Sequence, residues 1–92
     1  MARYIIDVRT PQEYAARHVE GAINIDFNGG RFDTEIVCFP RDAEYVTYCN
    51  AGGRAGRART RMLTLGFPDV TSYGIMAASI ATGRRVVYQA GT

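Results

Sequence analysis

The order of hydrophobic patterns along the chain predicts an α/β fold, a three-layer open parallel sheet flanked by helices. Two observations carry this prediction. Residues 4–8 are a β-branched and aromatic run followed by a helix pattern, and residues 44–48 are a second apolar run that leads into another helix pattern. Strands that alternate with helices in this way form parallel sheets with helices packed on their faces.

The first strand and helix have the clearest local signals. Residues 4–8 form the first predicted strand. Thr10 and Glu13 form a capping box, with a proline at the first helical position between them. The helix is expected to run to about Arg17, and residues 22–25 form the next predicted strand. This βαβ pattern is typical of a parallel sheet.

Residues 26–43 carry weaker signals. Residues 28–30 are turn-like, and residues 33–39 fit either a short helix or a strand. Cys38 lies in an apolar run and is predicted to be a small buried hydrophobic side chain, because free cysteine is among the most buried residue types.

The second half of the chain returns to a regular alternation. Residues 44–48 form a strand, and a glycine-rich loop follows it. Apolar residues then recur at helical spacing as far as Gly66, which predicts an amphipathic helix closed by that glycine. Residues 70–73 form the last predicted strand, and residues 75–81 form a helix capped by Gly83.

Size and composition limit the possible functions. Residues 1–92 are expected to form a single domain with one modest core. The net charge of +2 argues against a nucleic-acid partner, and the apolar runs are too short for a membrane helix. The two cysteines match no metal-ligand pattern, so neither a metal nor a cofactor is expected. The expected location is cytoplasmic, and an upstream export signal would lie outside this sequence.

Cys49 is the candidate catalytic residue. It stands where an apolar strand enters a loop that opens a helix, and helix N-termini lower the pKa of cysteine thiols and bind anions. Arg54 adds a planar fork of donors suited to an oxyanion. The candidate substrate-binding residues, which supply backbone amides or the guanidinium, are Asn50, Ala51, Gly52, Gly53, Arg54 and Ala55.

Other polar residues are interpreted as structural. His18 follows the first helix, and a thiolate activated by the helix dipole needs no histidine base. Asp7 and Arg9 are expected to form a buried ion pair or to act as hydrogen-bond partners for a neighbouring loop. The arginines after Arg54 are interpreted as a solvated helix face, with a positive collar around Cys49 as the alternative.

Four segments, in order along the chain, resemble the rhodanese family. They are residues 5–14 (IIDVRTPQEY), residues 18–25 (HVEGAINI), the loop of residues 49–54 (CNAGGR) and residues 73–87, which contain Tyr73-Gly74 and Gly83-Arg84-Arg85-Val86-Val87. The compact length is similar to that of single-domain thiosulfate sulfurtransferases of the phage-shock-protein-E type. Cysteine-dependent phosphatases and arsenate reductases share the anion-loop logic, but four residues separate Cys49 from Arg54 where phosphatases have five.

The resemblance implies transfer of a sulfane sulfur from thiosulfate to cyanide or another thiophilic acceptor, through a persulfide on Cys49. The implied partners are a small anionic sulfur donor and a thiophilic acceptor, and a sulfur-accepting protein is a further candidate. The alternative is a persulfide carrier or regulatory binding module with little turnover of its own. Asn50, where the family frequently has arginine, motivates this alternative.

Overall fold

The computed structural model describes residues 2–89. In chain order, its helices and strands are β1 (Arg3–Asp7), α1 (Pro11–Ala16), β2 (Arg17–Val19), β3 (Ile23–Asn24), α2 (Phe32–Ile36), β4 (Glu44–Cys49), α3 (Gly53–Thr64), β5 (Val70–Gly74), α4 (Ile75–Thr82) and β6 (Val86–Tyr88). Of the helices in this range, none combines the length and the apolar character that a membrane span requires.

Four parallel strands form the main sheet, in the order β3-β1-β4-β5. β1 and β4 occupy the centre, with Ile5 opposite Val46 and Asp7 opposite Tyr48. Central parallel strands are covered on both faces, which agrees with the consecutive apolar residues 4–6 of β1. The predicted parallel α/β sheet is confirmed.

Successive side chains of the central strands enter two separate cores. Ile6 packs with the buried residues of α2 and α3, whereas Ile5 packs with those of α4. Alternation along a strand sends neighbouring side chains to opposite faces of the sheet. Helices therefore cover both faces, and the three-layer arrangement is confirmed.

The capping box at the start of α1 is also confirmed. The hydroxyl of Thr10 accepts a hydrogen bond from the Glu13 amide (3.2 Å), and the Glu13 carboxylate accepts one from the Thr10 amide (3.0 Å). These two bonds satisfy donors that an isolated helix start would leave without partners. They also fix the Glu13 side chain at the N-terminal end of α1.

Two short strands were not predicted. β2 and β6 form an antiparallel pair in which Arg17 lies opposite Tyr88 and His18 lies opposite Val87. The predicted extension of the first helix to Arg17 was therefore slightly too long, because Arg17 has extended backbone angles and begins β2. The pairing joins segments far apart in sequence, which no local pattern reveals.

The weakly predicted segment contains a helix, and the prediction for Cys38 was wrong. α2 turns its Phe32 and Ile36 side chains into the core, at the i, i+4 spacing of one helix face. Cys38 lies beyond the end of α2 and off this face, so its side chain is exposed. Its Sγ donates to the carbonyl oxygen of Thr34 at 3.6 Å.

Candidate functional site

Cys49 is the last residue of β4 and lies at the carboxyl edge of the parallel sheet. It is buried, with 2% of its surface exposed. The chain then turns through Gly52, whose φ of 106° lies in the left-handed region, and α3 begins at Gly53. Ligands of open parallel sheets bind beyond this edge, so the fold places the thiol where such a site is expected.

Two backbone amides donate to the sulfur of Cys49. The Gly52 amide nitrogen lies 3.0 Å from Sγ, and the Ala55 amide nitrogen lies 3.4 Å from it. Gly52 is the N-cap of α3 and Ala55 lies in its first turn. Amides at these positions have no intrahelical acceptor, and the positive end of the helix dipole lies there. Two amide hydrogens therefore point at one position, an arrangement suited to binding an anion there.

The loop around Cys49 is held from two sides, by contacts that the sequence did not predict. The hydroxyl of Thr47 donates to the carbonyl oxygen of Ala55 at 3.1 Å. On the other side, a Cβ atom at Gly74 would lie 2.9 Å from the carbonyl oxygen of Asn50. A side chain at Gly74 would therefore displace the loop. Only the position of Gly74 in a motif of residues 73–87 hinted at this role.

Arg54 forms a bidentate ion pair with Glu13. Its Nη1 lies 2.7 Å from Oε1 and its Nη2 lies 3.1 Å from Oε2. The hydrogen bond with Arg54 holds the pKa of Glu13 at about 2, against an ordinary value of 4.5. The same bond raises the pKa of Arg54. The sequence identified Glu13 only as a helix cap and missed this second role.

Asn50 connects the loop to two charged residues. Its Nδ2 donates to Glu13 Oε2 at 2.7 Å, and its Oδ1 accepts from Arg9 Nη1 at 3.0 Å. The amide side chain is both donor and acceptor, whereas an arginine at this position could only donate. Asn50 therefore satisfies a carboxylate and a guanidinium at the same time.

The predicted ion pair between Asp7 and Arg9 is confirmed, and both side chains are buried. Arg9 Nη2 lies 2.8 Å from Asp7 Oδ2, and the Tyr48 hydroxyl donates to the same oxygen at 2.9 Å. Burial lowers the pKa of Arg9, but the hydrogen bond and charge of Asp7 outweigh this and leave it raised. Burial also raises the pKa of Tyr48. A continuous chain of polar contacts thus runs from the core through Asn50 and Glu13 to Arg54.

The remaining predicted residues have structural contacts. His18 lies in β2, where its ring stacks on Tyr14 with centroids 3.8 Å apart and its Nδ1 lies 2.9 Å from the Tyr14 carbonyl oxygen. Arg59 donates to the carbonyl oxygen of Val70 at 2.7 Å, and Arg61 pairs with Asp33. Within residues 2–89, no three histidine, cysteine, aspartate or glutamate side chains form a group that could hold a metal ion.

Two surface clefts are lined by residues outside the Cys49 loop. A cleft of about 340 Å³ is lined by residues of the α1 start, β3, the following loop and α2, including Pro11 and Asp26. A cleft of about 270 Å³ is lined by residues that include Phe27 and Arg61. Of the described residues, those lining the clefts do not include Cys49.

Comparison with known proteins identifies the family of the chain. The family profile of the Rhodanese-like domain matches residues 1–76. The thiosulfate sulfurtransferase PspE of Escherichia coli is 33% identical over 73 residues, which cover 79% of this chain and 70% of that protein. The chain therefore belongs to the rhodanese-like family.

Another relative and two solved structures match the chain over different shares of their own length. The Arabidopsis thaliana mitochondrial protein HIGH ARSENIC CONTENT 1 is 39% identical over 83 residues, covering 78% of this chain and 48% of that protein. A solved structure described as rhodanese with anions from E. coli superposes with a TM-score of 0.76 at 30% identity, covering 95% of this chain and 99% of the other. The thiosulfate sulfurtransferase of Pseudomonas aeruginosa superposes with a TM-score of 0.78 at 26% identity, covering 94% of this chain and 17% of the other.

Proposed function

We propose that the chain is a thiosulfate sulfurtransferase, that residues 1–92 act as one domain, and that Cys49 is the nucleophile. The observation that carries the proposal is the pair of amides, from Gly52 and Ala55, that donate to the Cys49 sulfur at the N-terminal end of α3. The names of the relatives from E. coli and P. aeruginosa support thiosulfate as the donor.

The proposed reaction has two steps. The thiolate of Cys49 attacks the outer sulfur of thiosulfate; the sulfur–sulfur bond of the donor breaks and its electron pair leaves with sulfite. Cyanide, or another thiophilic acceptor, then attacks the outer sulfur of the persulfide. The new carbon–sulfur bond gives thiocyanate, and the electron pair of the broken bond restores the Cys49 thiolate. No external oxidant or reductant is needed.

The loop residues receive distinct roles in this proposal. The amides of Gly52 and Ala55 stabilise the charge on the Cys49 sulfur and on the persulfide. Arg54 binds the sulfonate end of the donor through its planar fork. Asn50, Ala51 and Gly53 complete the loop that surrounds the transferred sulfur.

The test is production of thiocyanate from thiosulfate and cyanide. Cys49→Ala is expected to abolish it. Cys38→Ala is the matched control, since it removes the other cysteine, which is exposed, and is expected to retain full activity. Activity that survives in Cys49→Ala would reject this nucleophile.

A persulfide carrier with little turnover is a second candidate. It is favoured by the engagement of Arg54 with Glu13, which leaves the guanidinium already paired. Intact mass measurement separates the two functions. A carrier gains about 32 Da, the mass of one sulfur, and transfers it rapidly to a partner protein but slowly to cyanide. Rapid multiple turnover with cyanide would reject the carrier function.

A further inference from the structure

The anion that Arg54 binds in this structure is a side chain of the protein itself. Both terminal nitrogens of Arg54 contact the carboxylate of Glu13, at 2.7 and 3.1 Å. Asn50 donates to the same carboxylate at 2.7 Å, and the Thr10 amide donates to it at 3.0 Å. Glu13 is therefore held from the cap of α1 and from the loop before α3 at once.

Arg9 and Arg54, the two arginines of the polar network at the loop, each pair with a carboxylate. Glu13 neutralises Arg54, and Asp7 neutralises Arg9 in the core. The Glu13 and Arg54 side chains are 28% and 24% exposed, so water only partly screens their interaction. An anionic reagent that approaches Cys49 therefore meets a guanidinium whose charge is already balanced.

We propose that Glu13 is a specificity-determining residue, an internal carboxylate that competes with anionic donors for Arg54. A donor must share or displace this carboxylate before Arg54 can bind it. Glu13 thereby sets the affinity of the site for anions and makes that affinity depend on donor charge. The part that concerns thiosulfate rests on the proposed sulfurtransferase function, whereas the effect on charge does not.

Glu13→Gln separates this role from helix capping. The cap requires one oxygen that accepts from the Thr10 amide, and glutamine is as suitable as glutamate at that position of a capping box. Glutamine can still accept one hydrogen bond from Arg54 but carries no charge. The matched control is Asp33→Asn, which makes the same change in net charge at the Arg61 pair, about 10 Å further along α3.

The first readout needs no sulfurtransferase activity. Cys49 is alkylated with iodoacetate and with iodoacetamide, and peptide mass spectrometry separates it from the exposed Cys38. The readout is the rate with iodoacetate, which is an anion, divided by the rate with iodoacetamide, which is neutral. Because both reagents attack the same thiolate, this ratio does not depend on the thiolate fraction and reports the charge near the sulfur. Glu13→Gln is expected to raise this ratio about three- to tenfold, the size of effect of one partly screened charge. Asp33→Asn is expected to leave it within about twofold.

Two further variants complete a charge cycle. Arg54→Gln leaves the Glu13 carboxylate without its cation and is expected to lower the ratio about three- to tenfold. The double variant Glu13→Gln with Arg54→Gln carries no charge at either position. Its net charge at these two positions is zero, which is also the net charge of the original ion pair. Its ratio is expected to return to within about twofold of the unmodified protein.

The second readout is the KM for thiosulfate. Glu13→Gln is expected to lower it about three- to tenfold with kcat changed less than about twofold, because the carboxylate competes with donor binding. An unchanged alkylation ratio in Glu13→Gln would overturn the inference. A raised ratio with an unchanged or higher KM would overturn the role toward the donor. A raised ratio in a protein that forms no persulfide would support the inference and reject the proposed function.

Discussion

The sulfur of Cys49 contacts backbone amides, and the single histidine of the chain lies elsewhere, against Tyr14. Backbone donors at a helix N-terminus cannot be removed by changing one side chain. Their positions are instead sensitive to backbone shifts in the loop. A small residue that contacts the loop, such as Gly74, is therefore expected to influence the positions of these amides.

Gly74→Ala tests this sensitivity. The added Cβ would lie 2.9 Å from the carbonyl oxygen of Asn50, so the backbone at this contact must shift. We expect this shift to lengthen the amide contacts with Cys49. We expect the rate of persulfide formation to fall at least about tenfold, because complete loss of one oriented donor costs about 100- to 1,000-fold. The rate is measured by intact mass after mixing with thiosulfate.

Gly56→Ala is the control for the glycine change. A Cβ at Gly56, in α3, would meet nothing within 4 Å. Alanine in a helix interior is more favourable than glycine by about 0.5–1 kcal/mol, so this variant is expected to be more stable and fully active. Equal rates in the two variants would contradict the proposed dependence on the loop backbone.

The ion pair of Glu13 and Arg54 predicts a defined pH dependence of stability. The pKa of Glu13 is about 2 in the folded protein and 4.5 ordinarily, so the contribution of the pair is present above about pH 4.5 and is lost as pH falls toward 2. We expect the difference in free energy of unfolding between the unmodified protein and Glu13→Gln to be constant from about pH 8 to 6 and to shrink below about pH 5. Urea unfolding across this range measures it, and a difference that grows on acidification would contradict the assignment.

At the scale of elements, α1 supplies a residue to the site although it lies outside the loop that contains Cys49. The capping box fixes the first turn of α1, and Glu13 extends from that turn to Arg54 and Asn50. The stability of a helix start and the electrostatics of the site thus depend on one side chain. A change at the cap should therefore have an effect at Cys49.

Thr10→Ala removes the hydroxyl that accepts from the Glu13 amide and contacts Oε1 at 3.1 Å. We expect a loss of about 1 kcal/mol in the free energy of unfolding. Looser placement of Glu13 should also change the rate ratio of iodoacetate to iodoacetamide at Cys49. Thr10→Ser retains the hydroxyl and should behave as the unmodified protein. A stable Thr10→Ala variant would show that the hydroxyl is not needed for the cap.

Across the fold, the buried pair of Asp7 and Arg9 connects the carboxyl end of β1 to the loop after β4. Asp7 ends β1, Tyr48 on β4 donates to it, and Arg9 extends to Asn50 in the loop. The Tyr48 hydroxyl also accepts from the Val19 amide in β2 at 2.9 Å. One polar cluster therefore joins both sheets to the site.

Asp7→Asn leaves the Arg9 charge buried without a counter-charge. Removing one partner of a buried pair costs about 3–5 kcal/mol, a large part of the total stability of a small domain. We expect a large decrease in the urea midpoint. Asp33→Asn breaks an exposed pair instead and is expected to cost about 0–1 kcal/mol. Similar losses in the two variants would show that burial of the pair has little energetic importance.

Local sequence patterns predict the βα alternation, the start of α1, the end of α3 near Gly66 and the placement of Cys49 at the end of a strand. These depend on local rules: capping, side-chain periodicity and the backbone freedom of glycine. The buried pair of Asp7 and Arg9 was predicted for the same reason, since both lie at the end of one strand. The assignment of Cys49 and its loop as a catalytic site stays a prediction.

Which distant residues meet depends on the assembled fold. It brought Glu13 to Arg54, Gly74 to the carbonyl oxygen of Asn50, and β6 to β2, and it left Cys38 exposed although its neighbours are apolar. Each of these contacts joins elements whose separation depends on the sheet order and on helix packing. Local sequence sets the shape of each element, but the distances across the sheet arise only when both cores form.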